Sequence, residues 1–250
     1  CRILGHTPWE ERVAYVRKIG VVFGQRSQLW WDVPVIDSFE LLRDIYGVPA
    51  AEYRKNLDLL VDTLELHDLV NTPVRQLSLG QRMRCELAAS LLHGPEILFL
   101  DEPTIGLDAL SKLAVRRFIK TINAEKGVTV ILTTHDMNDI EALATRILLI
   151  GKGRILYDGQ LRNLKDRFLR QKTVTVDFLE SAESAAPVGI EGATLLSWTP
   201  VRATFTVDTD RTSVSAVIGA LSQRLELTDI SVEAPPIEEL IAGLYREYAL

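Results

Sequence analysis

The chain has 250 residues, 47% of them hydrophobic, with 28 Lys and Arg against 34 Asp and Glu and a formal net charge of −6. That is enough to bury a full α/β core plus a smaller unit, and the acidic balance argues against nucleic acid as the main partner, because phosphate-backbone binding needs a basic patch. No apolar run approaches the roughly twenty residues of a membrane span, so the membrane would be reached through a partner, and Cys1 and Cys85 alone give no disulfide framework.

In chain order, the first polar residues of interest are Gln25 and Gln28 in Val22-Phe23-Gly24-Gln25-Arg26-Ser27-Gln28-Leu29, followed by the adjacent pair Trp30-Trp31. Two neighbouring tryptophans cannot easily both point into one core, so interface and core remain equal readings for them. Asp37 and Glu40 have capping-box spacing before Leu41, Leu42 and Ile45, with Gly47 as a stop. A second helix, about residues 52–66, would bury Leu57, Leu60, Val61 and Leu64.

Leu77-Ser78-Leu79-Gly80-Gln81 comes next. Ser78 can cap a helix whose first N–H groups are unpaired and whose end carries partial positive charge, a combination suited to a phosphate. Met83, Leu87, Ala88, Leu91 and Leu92 recur at helical spacing, and Gly94-Pro95 stops the helix. The run Ile97 to Leu100 is apolar without alternation, as a parallel strand covered on both faces would be, and it delivers Asp101 and Glu102 at its carboxyl end, followed by Pro103. Adjacent carboxylates at that position suit a divalent cation and an oriented water, the chemistry of a nucleoside triphosphate.

A helix from about Ser111 to Lys126, with Leu113, Ala114, Phe118 and Ile122 on one stripe and Gly127 as its stop, leads to the apolar run Val128 to Leu132 and then to Thr133-Thr134-His135. The crossover places His135 on the same sheet edge as Asp101 and Glu102. Gly151-Lys152-Gly153 is a turn between two short strands. From about Gln171 the pattern changes: strands at 174–178 and 203–207 with a turn-rich stretch from Ser181 to Gly192 between them, then a helix on Val214, Val217, Ile218 and Leu221 and a strand at 227–232. A last helix opens at Pro235-Pro236 with Ile237, Leu240, Ile241 and Leu244 on one face.

These motifs, in this order, resemble the nucleotide-binding subunit of an ATP-binding cassette (ABC) transporter over roughly residues 1–165. Leu77 through Gln81 match its signature motif, Ile97 through Asp101 its magnesium strand, and Glu102 its catalytic glutamate. Gly106-Leu107-Asp108 match the loop that meets the partner subunit, His135 matches the switch histidine, and Gln25, four residues before Leu29, resembles the glutamine that senses Mg²⁺ and the attacking water. The resemblance implies a P-loop NTPase-like α/β mixed sheet over residues 1–170, with an α-helical subdomain at about 30–95, and a small C-terminal accessory α+β domain over 171–250. It implies ATP and Mg²⁺ as cofactors, with Asp101 and Gln25 on the metal, Glu102 and His135 as catalytic residues, and Ser78, Gly80, Gln81 and Asp108 at the nucleotide. The implied partners are a second ATP-binding subunit in a homodimer and a membrane permease of exporter type, on the cytoplasmic face of the cell membrane. In such exporters a short permease helix docks near the position of Trp30 and Trp31.

Two departures qualify the resemblance. Leu79 stands where the signature usually has glycine, which limits φ and crowds the approach of a phosphate. No G-x-x-x-x-G-K-[ST] loop occurs in the sequence, so the expectation is that these residues are the later part of a longer polypeptide and do not hydrolyse ATP alone. Two other classes share the motifs: ABC ATPases of translation or chromosome maintenance, which carry a second cassette or coiled-coil arms not seen here, and a non-catalytic interaction module.

Overall fold

Residues 1–24, 26–168, 171–179 and 189–233 are described by a computed structural model, in which the chain divides into two units, Cys1–Leu143 and Ala144–Leu250. In chain order the first contains α1 (Arg12–Val16), β1 (Ile19–Phe23), α2 (Val35–Tyr46), α3 (Ala50–Thr63), a 3₁₀ turn at Val74–Gln76, α4 (Leu79–Leu91), β2 (Ile97–Asp101), α5 (Ala109–Lys126), β3 (Thr129–Thr133) and α6 (Met137–Leu143). The three strands form a parallel sheet in the order β1-β2-β3, in a register that aligns Phe23, Asp101 and Thr133 at its carboxyl edge.

β2 is central, and its unalternated run buries Ile97, Leu98 and Leu100, as a strand covered on both faces requires. The apolar face of α4 (Met83, Leu87, Ala88, Leu91 and Leu92) is buried with Cys85 and Ala89. The helix packs on β1 so closely that a Cβ at Gly20 would clash with the Ser90 carbonyl. Gly47 and Gly127 end α2 and α5 in the left-handed conformation, at φ 64° and 67°.

Two local expectations are corrected. The residue at the start of α2 is Pro34, with no side-chain cap, so Asp37 lies inside the first turn instead of capping it; the helix's first N–H groups, at Val35 and Ile36, donate instead to the Thr72 and Val70 carbonyls at 3.2 and 2.8 Å. The buried stripe of α5 is Val115, Phe118, Ile119 and Ile122, while Leu113 is 56% exposed. Both stripes satisfy helical spacing, and the one with the larger buried area faces the sheet.

The second unit contains the hairpin β4 (Arg146–Gly151) and β5 (Arg154–Gln160), then α7 (Leu161–Phe168), β6 (Gln171–Phe178), β7 (Ala193–Trp198), β8 (Arg202–Asp208), α8 (Val214–Ser222) and β9 (Leu227–Glu233). Its four-stranded sheet is antiparallel in the order β7-β8-β6-β9. Val174, Val176, Phe178, Ala203, Phe205 and Val207 alternate into a core closed by Val217 and Leu221 of α8. β7 is an element the sequence reading lacks. The helix expected from Pro235 onward, and residues 181–188 of the turn-rich stretch, lie outside the described residues.

Candidate functional site

The carboxyl edge of the parallel sheet gathers three of the sequence-derived site residues. Asp101 ends β2, and its Oδ1 accepts a hydrogen bond from Thr133 Oγ1 at 2.6 Å, so the neighbouring strand end orients the carboxylate. Glu102 follows with φ 51°, a left-handed conformation that costs a side-chain-bearing residue energy. Its N–H donates to the Thr133 carbonyl at 3.1 Å and its own carbonyl accepts from Ile105 N–H at 3.2 Å, which fixes the turn. Gly24 lies against this turn: a Cβ there would be 2.7 Å from both the Asp101 and the Glu102 carbonyl oxygens. The loop after β1 can therefore pass the turn only as glycine.

His135 Nδ1 is 2.8 Å from Glu102 Oε1. The imidazole is 72% exposed and the carboxyl 28%, and the hydrogen bond to Glu102 holds the histidine pKa above its ordinary value, with the carboxylate charge adding to it. Gln25 lies outside the described residues.

The remaining candidates form a second group. Ser78 caps α4 in a full capping box: its Oγ accepts from Gln81 N–H at 3.2 Å, and Gln81 Oε1 accepts from Ser78 N–H at 2.9 Å. The N–H groups of Leu79 and Gly80 begin the helix with no carbonyl a turn earlier to pair with. Asp108 caps α5, accepting from Ser111 N–H at 2.9 Å and Ser111 Oγ at 2.7 Å, and these hydrogen bonds lower its pKa. A Cβ at Gly80 would clash with Ser111 Oγ, so the two helix starts abut. Leu79, 37% exposed, reaches toward Gly106, where its Cδ2 would be 3.1 Å from an added Cβ. The leucine in the signature thus has a place that does not bend the helix.

Sequence reasoning missed a buried polar network beneath His135, made by Thr104, Lys112, Arg116, Thr134, Asp136 and Asp139. Its only sequence trace is two basic residues four apart on α5 and two acidic residues three apart after His135. It also missed Glu86 of α4, 3% exposed, which accepts from Ser27 Oγ and from Gln28 N–H at 3.3 Å. Burial raises its pKa, and those hydrogen bonds oppose the rise. A small cleft lined by Phe23, Arg26, Leu79 and Arg82 opens beside it.

For a divalent cation the donors fit: Asp101 is an exposed hard-oxygen ligand already aimed by Thr133. Among the described residues no three His, Cys, Asp or Glu side chains converge into a metal cage. The fold is a P-loop NTPase-like α/β architecture with its acidic residues at the carboxyl edge of the parallel sheet.

Residues 18–139 match the family model described as "AAA domain, putative AbiEii toxin, Type IV TA system". The chain is 32% identical, over 97% of its length and 77% of the relative's, to a daunorubicin resistance ATP-binding protein of Streptomyces coeruleorubidus. It is 29% identical to ABC transporter A family member 1 of Dictyostelium discoideum, over 73% of this chain but 20% of that much longer protein. Its fold resembles a dimeric ATP-binding cassette solved in a post-hydrolysis state bound to ADP and Pi, with TM-score 0.55 and 29% identity over 64% of this chain and 72% of that one. The chain belongs to the ATP-binding proteins of ABC transporters.

Proposed function

We propose that this chain is the ATP-binding and ATP-hydrolysing subunit that powers an ABC exporter through a membrane permease. The observation that carries the reading is the Glu102–His135 pair, 2.8 Å apart and next to Asp101 at the carboxyl edge of a parallel sheet. On this reading Asp101 ligates Mg²⁺, with Gln25 as the second protein ligand. An ion held by these residues would supply charge neutralisation to the phosphates of the nucleotide. Glu102 orients the attacking water and accepts its proton as the water oxygen bonds to the γ-phosphorus and the bond to the bridging oxygen breaks. His135 contacts the γ-phosphate and stabilises the charge that develops there.

The separation of the candidates into two groups supports a two-subunit site. Asp101, Glu102 and His135 would serve one nucleotide, while Ser78, Gly80, Gln81 and Asp108 would face the nucleotide held by the opposing subunit. The free N–H groups at Leu79 and Gly80 and the helix dipole behind them suit a γ-phosphate. The solved relative is likewise a dimer with ADP and Pi. Export as the direction draws on the resistance relative. Among the described residues no helix is long and apolar enough to cross a membrane, which leaves a permease to bring the subunit to the cytoplasmic face of the cell membrane. Because the sequence holds no G-x-x-x-x-G-K-[ST] loop, turnover on this reading needs a phosphate loop that these residues do not supply, and these residues alone would be inactive.

The test is Glu102→Gln in a polypeptide that includes the phosphate loop. Glutamine keeps the shape but cannot take a proton, so ATP binding should persist while kcat falls at least about a hundredfold. The ATP-bound dimer should then accumulate on size-exclusion chromatography. Normal turnover, or a protein that stays monomeric with ATP, would refute the assignment.

A further inference from the structure

Asp139 is fully buried, at 0% exposure, and a carboxylate withdrawn from water is stable only where it is paired and hydrogen-bonded. Each of its oxygens is occupied. Oδ1 accepts from Arg116 Nε of α5 at 2.6 Å, and Oδ2 accepts from Thr104 Oγ1 and from Thr134 Oγ1, the latter at 3.1 Å. Thr104 lies two residues beyond Glu102, and Thr134 immediately precedes His135. One carboxylate therefore ties the chain just past the glutamate to the chain just before the histidine.

The residue on the other side of the histidine is held as well. Asp136 accepts from Lys112 Nζ at 2.6 Å and Arg116 Nη2 at 3.4 Å, and its N–H donates to Thr134 Oγ1 at 3.0 Å. His135 itself is mostly in solvent, and among the described residues its side chain hydrogen-bonds to Glu102. An exposed imidazole on a loose peptide would sample several rotamers. Here the peptide on each side of it is pinned to α5 and to the Glu102 turn.

We propose that Asp139, bound by Arg116 and Thr104, is a positioning residue that holds His135 in register with Glu102. The proposal gains its catalytic meaning from the function assigned above, but its test reads the histidine directly and needs no nucleotide. A network that merely stabilised the fold would leave the His135–Glu102 contact as it is when a single donor is trimmed.

The experiment is an NMR pH titration of the four histidines in the 250-residue chain, with the His135 resonance assigned by His135→Gln. The charged groups acting on this imidazole are Glu102, Asp136 and Lys112, with Arg116 behind Asp136. Wild type should titrate above the ordinary value of about 6.5, and Glu102→Gln should bring it down to the baseline for a histidine without its partner. Thr104→Val has nearly the same shape and no change of charge, so it should lower the midpoint toward that baseline only if the network positions the contact. Arg116→Gln separates the two explanations by sign. Removing a cation raises a histidine midpoint through space, whereas losing the register lowers it.

The proposal is overturned if Thr104→Val titrates like wild type or Arg116→Gln titrates higher. Should Arg116→Gln fail to fold by circular dichroism, Thr104→Val decides alone. If Glu102→Gln leaves the midpoint where it was, the contact itself does not form, and the functional reading falls with the proposal. A lowered Glu102→Gln with an unmoved Thr104→Val rejects the positioning network alone.

Discussion

The two units handle polar groups in opposite ways. In β6 and β8 of the second unit the alternation is regular: apolar side chains face α8, and the polar ones, such as Thr175 beside Thr204 and Asp177 paired with Arg202, stay on the part-buried or exposed side. Every buried polar or charged side chain among the described residues, namely Ser38, Glu86, Ser90, Thr104 and Asp139, belongs to the first unit. A fold that needs only stability has no reason to bury a carboxylate, because apolar packing of the same volume does as well or better. The contrast marks the first unit as the one whose buried polar groups are candidates for function.

The most severe way to break this contrast is to attack the packed unit at its centre. Phe205 is 2% exposed, and Phe205→Ala should cost about 3–5 kcal/mol by urea unfolding. A loss below about 1 kcal/mol would mean that the sheet face is not a tightly packed core.

A smaller effect, with a diagnostic pH dependence, is expected in the first unit. The hydrogen bond from Lys112, with its charge, depresses the Asp136 pKa from 3.8 to about 2. A depressed carboxylate contributes stability that is present above its unfolded pKa and lost as pH falls through its folded one. Lys112→Gln should therefore melt below wild type near neutral pH. The gap should narrow from about pH 4 downward and close only below about pH 2. An equal gap across that range would show that Lys112 acts by packing and not through this ion pair.

The parts legible in the sequence are those written in local spacing. Ser78 as the cap of α4 and the glycines that end α2 and α5 act within a few residues, and the structure has each in its expected place. The carboxyl edge was legible because an unalternated strand ending in acids allows few placements. What stayed hidden depends on partners far along the chain. Asp139 meets Thr104 and Arg116 across 35 and 23 positions, and Glu86 meets Ser27 across 59, distances over which spacing carries no information. β7 escaped because its pairing with β8 shifts register between Leu195 and Ser197 and most of its residues are exposed, so no alternation marks it. The stripe of α5 was misread because two faces of that helix carry apolar residues, and which of them the sheet buries is a tertiary fact.

The adjacent tryptophans sharpen the comparison with the least expected effect on stability. Trp30 and Trp31 are 60% and 52% exposed, in contrast to Phe205, so the structure removes them from the core and leaves the interface reading. Trp30 is held through its backbone, by N–H donation to Ser38 Oγ at 3.0 Å, and Trp31 has the Arg82 guanidinium 5.7 Å from its ring centroid. An exposed cation–π contact contributes about 0.5–1 kcal/mol, and other surface changes stay within about 0.5 kcal/mol. The double variant Trp30→Ala, Trp31→Ala should thus lose about 1 kcal/mol or less. Apolar aromatics displayed beside a charged helix are the composition of a binding anchor, and on the proposed function the permease is what they meet. Co-purification with the permease should drop while ATP hydrolysis by the soluble subunit with its phosphate loop stays near wild type. A stability loss on the scale of Phe205→Ala would return the pair to the core, and undiminished co-purification would place the docking surface elsewhere.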